Sequence, residues 1–176
     1  MNSKINKPPI ISVVGLSGTG KTTLLEKLIP QLTEQGIRIA MIKHAHHEFD
    51  IDKPGKDSYR LRKAGAQQML IASSRRMALM TENDTPQEPR LDELVTRLDL
   101  DNIDLVLVEG FKHVSFPRIE LHRRELGKTL LYPEDPGIIA VASDHLADYG
   151  DLPALDINDT AAIAEFIVAW LGATAH

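Results

Sequence analysis

Eight consecutive residues near the amino terminus have the types and spacing of a phosphate-binding loop. They fit the pattern G-x-x-x-x-G-K-[ST], and in order they are Gly15, Leu16, Ser17, Gly18, Thr19, Gly20, Lys21 and Thr22. The glycines allow main-chain N–H groups to turn toward an anion without a side chain in the way. Lys21 supplies a charge for the β- and γ-phosphates, and the Thr22 hydroxyl can ligate Mg²⁺. The motif predicts a nucleotide-binding site.

The segments on either side of this loop support the same interpretation. Residues 10–14, IISVV, are typical of a buried strand, and residues 21–35 have the apolar spacing of a helix. A chance match to the motif is expected in roughly 1% of chains of this length. The strand before the loop and the helix after it make a chance match rarer still.

Glu109 is the candidate acidic partner for the metal ion. It ends the most hydrophobic predicted strand, residues 103–110, and Gly110 after it leaves space for a γ-phosphate or a water molecule. Lys21 and Glu109 are therefore the predicted catalytic residues, and Thr22 and Glu109 the predicted metal ligands. The alternative is a solvated glutamate at a strand end.

Asp144 is a candidate for reading the base. It follows the predicted strand IIAVAS, and nucleotide-binding α/β proteins place base contacts beyond the carboxyl ends of strands. A carboxylate there can accept from both N1–H and the 2-amino group of guanine. In the alternative, Ser143 or Asp144 only caps the turn that starts at His145, and spacing alone leaves both readings open.

The loop after the second predicted strand is rich in polar side chains, and its candidates for a nucleotide-dependent switch or a substrate contact are His44, His46, His47, Asp52, Lys56 and Asp57. Imidazole and carboxylate groups also suit zinc or nickel, so metal binding is a second hypothesis. The loop can also be a solvated segment with no ligand.

A basic cluster follows the Glu109 strand, and its arginines are Arg118, Arg123 and Arg124. Such a cluster can contact an anionic substrate or a partner, or can supply an arginine finger. A solvated basic face is the usual explanation. The sequence does not separate these alternatives.

Strands that alternate with helices predict an α/β fold, here a P-loop NTPase-like three-layer fold with a mainly parallel sheet. The segments QMLIASS and MALMTE have little helix between them and predict a small antiparallel β-rich part. Residues 1–9 are predicted to be a flexible lead, and residues 10–172 a single nucleotide-binding domain.

The bulk composition narrows the class of protein. The chain has 176 residues, no cysteine and a formal charge of −5, which excludes a disulfide framework and disfavours nucleic-acid binding. No segment approaches the roughly 20 apolar residues that a membrane helix needs. We therefore predict a cytoplasmic protein.

Four segments together resemble the molybdopterin-guanine dinucleotide biosynthesis protein B family, MobB: VVGLSGTGKTTLLEKLIPQL, IKHAHHEFDIDKPGKDSYRLRKAGA, DLVLVEGFK and IIAVASD. The resemblance implies a GTP-binding protein with weak GTPase activity, acting as an adaptor for the enzyme that joins GMP to molybdopterin. It also implies a homodimer with strands contributed across the interface, and contact with that guanylyltransferase and with molybdopterin. It places the phosphates at Gly18, Gly20, Lys21 and Thr22, with Thr23 adjacent.

Two other functions remain open at this point. A small-molecule or nucleotide kinase would use the same loop, with Arg123 and Arg124 as a lid over a second phosphate substrate. A metal chaperone would use the histidines after the second strand.

Overall fold

The computed structural model describes residues 7–45, 49–111 and 113–174. The chain forms two compact units: the first unit comprises Met1–His44 and Leu91–His176, and the second unit comprises Ala45–Arg90. The single domain over residues 10–172 stays a prediction.

The secondary structure follows the sequence closely. The strands are β1 (Ile10–Val14), β2 (Ile39–Lys43), β3 (Gln68–Ala72), β4 (Met77–Thr81), β5 (Leu105–Glu109), β6 (Arg118–His122), β7 (Ile138–Ser143) and β8 (Ala154–Asp156). The α-helices are α1 (Lys21–Glu34), α2 (Asp57–Lys63), α3 (Leu91–Val95) and α4 (Thr160–Thr174). Of the helices in the described ranges, none is long and apolar enough to span a bilayer.

The first unit is built on a six-stranded sheet with the order β2-β5-β1-β6-β7-β8. All of its strand pairings are parallel. Parallel strands end at the same edge of a sheet, so the segments that follow β1, β5, β6 and β7 start from one edge. This edge carries the candidate site.

Helices cover both faces of this sheet, which confirms the predicted three layers. The helical spacing of Leu24, Leu28 and Leu32 turns one stripe of α1 toward the sheet, where it packs in one cluster with Ile163 and Ile167 of α4. On the other face Leu91 and Val95 of α3 pack with strand residues of β5. Burying one such side chain contributes about 1.5–3 kcal/mol, so this packing holds the ends of the strands in place.

The sequence predicts a last helix that is capped by Asn158 and ended by Gly172, and the structure differs at both ends. Asn158 does not cap it, because its side-chain amide donates to Asp156 Oδ1 at 3.1 Å. Asp159 Oδ1 instead accepts from the Ala162 N–H at 3.0 Å, and the helix begins at Thr160. The helix also continues past Gly172 to Thr174, whose hydroxyl donates to carbonyl groups of the preceding turn.

The second unit contains the predicted antiparallel part. Strands β3 and β4 form a two-stranded sheet in which Leu70 lies opposite Leu79. Its helix α2 begins at Asp57 without a side-chain cap on the preceding Lys56. The sequence predicts a cap by Asp57 or Ser58, which was wrong: the helix has no side-chain cap, and the Ser58 hydroxyl donates to Asp52 Oδ1 at 2.9 Å.

Candidate nucleotide-binding site

The glycine-rich loop joins β1 to α1 at the carboxyl edge of the sheet. A Cβ atom at Gly15 would lie 2.6 Å from the Leu121 carbonyl oxygen and 2.8 Å from Thr19 Oγ1, so only glycine lets the loop pass this close to β6. Gly20 precedes α1 with φ of +92°, a left-handed conformation that glycine adopts at low cost. The sequence thus fixes the sharp turn that a phosphate cradle requires.

Thr19 holds the loop together from inside. It is 2% exposed, and its hydroxyl donates to the Leu16 carbonyl oxygen at 2.9 Å. Its main-chain N–H donates to the same oxygen at 3.3 Å. The Thr19 hydroxyl thus shapes the loop, and the predicted contact of Thr19 with a nucleotide stays a prediction.

Lys21 and the start of α1 concentrate positive potential at the loop. The Lys21 ammonium donates to the carbonyl oxygens of Gly15 at 2.8 Å and Leu16 at 3.3 Å. The first turn of α1 holds no acidic residue and has no side-chain cap, so its N–H groups and the positive end of the helix dipole face the loop. The other predicted contacts, Ser17, Gly18, Thr22 and Thr23, are all exposed.

Glu109 lies where the sequence predicted it, at the carboxyl end of the strand next to β1. β5 pairs with β1 in parallel, so Glu109 and the phosphate loop share the same edge. Its carboxylate Oε2 is 3.1 Å from the Lys43 ammonium, and its side chain is 16% exposed. The carboxylate is therefore paired with a lysine at the edge of the sheet that carries the loop.

Arg123 and Asp144 connect the loop to the strands on its other side. Arg123 Nε donates to the Thr19 carbonyl oxygen at 3.2 Å, and its Nη1 lies 3.9 Å from Asp144 Oδ2. Asp144 Oδ1 accepts from the Arg124 N–H at 2.9 Å, while the turn at His145 is capped by Ser143 Oγ at 3.2 Å. Arg123 thus links the loop to Asp144 at the end of β7.

A shallow cavity of about 90 Å³ opens beside the loop, on the Arg123 side. Residues of α1, the Arg123 side chain and the segment after β8 line it: Gly20, Thr23, Leu24, Lys27, Arg123, Ile157, Asn158 and Thr160. Sequence reasoning missed Asn158 and Thr160 as lining residues. The signal was present, because both follow β8 at the edge where the other parallel strands end.

Arg118 is not part of an exposed basic cluster, and that prediction was wrong. It is 4% exposed and begins β6, whereas Arg123 and Arg124 follow the other end of that strand. Its guanidinium pairs with the Asp135 carboxylate and donates to the Phe111 carbonyl oxygen at 3.2 Å. Arg118 is therefore a buried structural residue that links the start of β6 to Asp135 and Phe111.

The polar loop of the second unit is tied together by Arg62. Arg62 is 8% exposed, and its guanidinium contacts the carboxylates of Asp50, Asp52 and Glu82. Its hydrogen bonds lower the pKa of Asp50. The Asp52 carboxylate is nearly buried in this cluster, with 6% of its side chain exposed, so Asp52 serves the internal structure of the unit.

The other candidates in this segment have different surroundings. Lys56 is exposed, and the Asp57 side chain is 94% exposed. His44 lies in the first unit, and the predicted roles of His46 and His47 fall outside the described residues. Within the described ranges, no group of three or more histidine, cysteine, aspartate or glutamate side chains is arranged to hold a metal ion.

Glu120, which the sequence did not single out, anchors the loop before β7. It is 1% exposed, and its two carboxylate oxygens accept from the N–H groups of Leu131 at 2.7 Å and Tyr132 at 2.9 Å. Burial raises the pKa of Glu120, although the two N–H groups oppose that shift. The loop is therefore held by a group whose charge can change with pH.

We expect Glu120→Gln to lower the free energy of unfolding by about 1–2 kcal/mol at pH 7, because one N–H loses its acceptor. The wild-type pKa is higher in the folded state, so Glu120 contributes most stability below its unfolded pKa and loses that contribution as the pH rises through the folded pKa. The difference in the free energy of unfolding between the wild type and the variant should therefore grow as the pH falls from 7 toward 4.5. Urea unfolding across this range measures it, and a deficit that shrinks in acid would contradict the assignment.

The parallel sheet, with a glycine-rich loop between β1 and α1, defines a P-loop NTPase-like α/β protein. The chain belongs to the MobB family: the family model described as molybdopterin guanine dinucleotide synthesis protein B matches residues 10–144.

Relatives with similar sequences match this chain over nearly its whole length. The chain is 50% identical to the molybdopterin-guanine dinucleotide biosynthesis adapter protein of Escherichia coli K12, over 93% of each protein. It is 48% identical to the protein of the same name from Haemophilus influenzae, over 94% of this chain and 91% of the relative. A crystal structure of molybdopterin-guanine biosynthesis protein B superposes with a TM-score of 0.71 at 30% identity, covering 92% of this chain and 98% of the other.

Proposed function

We propose that the chain is a GTP-binding adapter in the synthesis of molybdopterin-guanine dinucleotide and that it hydrolyses GTP slowly. The observation that carries the proposal is the intact phosphate loop, with the Lys21 ammonium held over its carbonyl groups, in a member of the MobB family. Relatives that share about half of its residues are named adapter proteins of this synthesis.

The residues at the loop fit a Mg²⁺ ion. Mg²⁺ prefers oxygen ligands and is bound with substrate phosphates by one or two protein groups. Thr22 is exposed in the first turn of α1, and Glu109 ends the neighbouring parallel strand. In this proposal Thr22 and Glu109 hold the ion, which neutralises charge on the β- and γ-phosphates.

The strand order suggests how a bound nucleotide would be oriented across the edge of the sheet. β1 lies between β5 and β6 in the sheet. Glu109 ends β5, and Arg123 directly follows β6. If the γ-phosphate lies toward Glu109, the nucleoside extends toward the cavity beside Arg123. Asp144 lies at this side, and within the described part of the chain its Oδ2 accepts no hydrogen bond. In this proposal the Asp144 carboxylate reads the donor edge of guanine.

Calorimetry of the full chain with GTP, ATP and Mg²⁺ tests the proposal. A carboxylate that accepts from the N1–H and 2-amino groups should favour GTP by about 10-fold or more, since adenine has neither donor and leaves the acceptor unpaired. Equal affinity for the two nucleotides would reject the guanine assignment, and binding of neither would reject the nucleotide site.

Glu109→Gln should slow GTP hydrolysis by about 10–100-fold and change GTP affinity by less than about 3-fold. The reason is that the carboxylate acts on the metal and the attacking water, whereas the loop holds most of the phosphate contacts. Single-turnover hydrolysis and calorimetry measure the two effects. Glu26→Gln, on the exposed side of α1, is the control, and a variant that lost affinity and rate equally would place Glu109 in binding.

We also propose that the chain is a homodimer that pairs through the β3–β4 hairpin. The large apolar side chains Leu70, Ile71, Met77 and Leu79 are 41–75% exposed on this two-stranded sheet. An isolated hairpin is only marginally stable in water and has unpaired edges. Strands from a second copy would cover these side chains and pair these edges.

The partner in this proposal is the guanylyltransferase that joins GMP to molybdopterin, with the pterin as a further contact. Phe49 and Ile51 of the second unit are 74% and 66% exposed and lie outside the hairpin in sequence. Exposed aromatic and aliphatic side chains are typical anchors of protein interfaces. They are the residues through which we propose the transferase is bound.

A further inference from the structure

The turn after Glu109 has a strained backbone. Phe111 has φ of +55°, and among the described residues no other non-glycine side chain has a positive φ. It follows Gly110, whose φ is +101°. Left-handed conformations cost energy for a residue with a Cβ atom, and at functional sites such strain often marks an element with two states. The surroundings of Phe111 must therefore hold it in place.

His44 supplies much of that restraint. Its ring stacks on the Phe111 ring with centroids 4.9 Å apart and an interplanar angle of 28°. Its main-chain N–H donates to the Glu109 carbonyl oxygen at 2.8 Å. A Cβ atom at Gly110 would lie 2.6 Å from His44 Cβ, so the two segments pack too closely for either to move alone.

Phe111 is linked to both chain connections to the second unit. His44 is the last residue before that unit, and Leu91 is the first residue after it. Leu91 packs in one buried cluster with Phe111, together with Ile42, Val95, Val106 and Val108. A change in the turn after Glu109 therefore acts on both points at which residues 45–90 are attached.

We propose that the His44–Phe111 pair is a latch that couples the γ-phosphate to the order of the second unit. The inference rests on the proposed GTP site, because the γ-phosphate must lie beside Glu109 and Gly110. A triphosphate presents added negative charge at this turn, and a diphosphate does not. The strained turn responds to that difference, His44 moves with it, and the second unit becomes more ordered in the triphosphate state.

Hydrogen exchange of the full-length protein tests the latch, with GDP and with a nonhydrolysable GTP analogue as ligands. We expect amides of residues 49–90 to exchange about 10-fold more slowly with the analogue than with GDP. In His44→Ala the difference should fall to within about 2-fold, because the stacked ring is lost. His44→Phe keeps a ring pair and should restore most of the difference, which a loss of packing elsewhere would not explain.

The outcomes separate the latch from the nucleotide site. If the wild type binds both ligands and residues 49–90 exchange equally in the two complexes, the latch is wrong and the nucleotide site stands. Retention of the full difference in His44→Ala would also overturn the latch. Binding of neither ligand would overturn the proposed function, and the latch with it.

Discussion

Lys21→Ala should weaken GTP binding by about 100-fold or more, which makes it the largest expected effect of a single substitution at the site. The variant loses a charged donor to the β- and γ-phosphates, and a charge-assisted hydrogen bond in such a site is worth about 3 kcal/mol. Calorimetry with GTP and Mg²⁺ measures the loss. Stability should change little, because Lys21 is only partly buried and lies outside the apolar core.

Lys7→Ala is the matched control for this prediction. Lys7 is exposed and precedes β1, so it lies at the opposite end of that strand from the phosphate loop. Its removal changes the net charge equally and should leave GTP affinity within about 2-fold, since exposed charges at a distance are screened by salt. If Lys21→Ala bound GTP as tightly as this control, the loop would not be the phosphate site.

The double substitution Leu70→Lys and Leu79→Lys should convert the proposed dimer to a monomer. The two side chains face each other across the hairpin and are 59% and 58% exposed in the single chain. A two-fold interface uses each of them twice. At about 1 kcal/mol or more for each leucine, the dissociation constant should rise about 1000-fold, and sedimentation equilibrium measures it.

Leu146→Lys provides the comparison, because Leu146 is also 59% exposed but lies in the first unit. It should leave the oligomeric state unchanged. Circular dichroism should confirm that the double variant remains folded. A wild-type chain that is monomeric at all concentrations, or a double variant that dimerises as well as the wild type, would show that the hairpin is not the interface.

Much of the fold was predictable because its signals are local. The apolar run of β1 and the helical spacing of Leu24, Leu28 and Leu32 identify their elements without knowledge of any neighbour. The end of the last helix was less predictable. Gly172 is a common stop signal, but the Thr174 hydroxyl bonds to carbonyl groups of the last turn and the helix continues.

The basic cluster shows where sequence reasoning failed. Arg118 and Arg123 are close in sequence, but β6 separates them, and Arg118 is buried against Asp135. Burial depends on which segments pack over the end of a strand, and the residues next to Arg118 in sequence do not show which segments do so. The stacking of His44 on Phe111 was missed for the same reason, since the two residues meet only because β2 pairs with β5.

The sequence by itself determined the phosphate loop, because its glycines, Lys21 and Thr22 act within eight consecutive residues. It also determined the alternation of strands and helices, which follows from local apolar spacing. The tertiary structure alone decided on which side of the loop each neighbour lies, how Arg123 contacts Thr19, and that the turn at Phe111 is strained. The physical reason is that these groups meet through a strand order, β2-β5-β1-β6-β7-β8, that differs from the order along the chain.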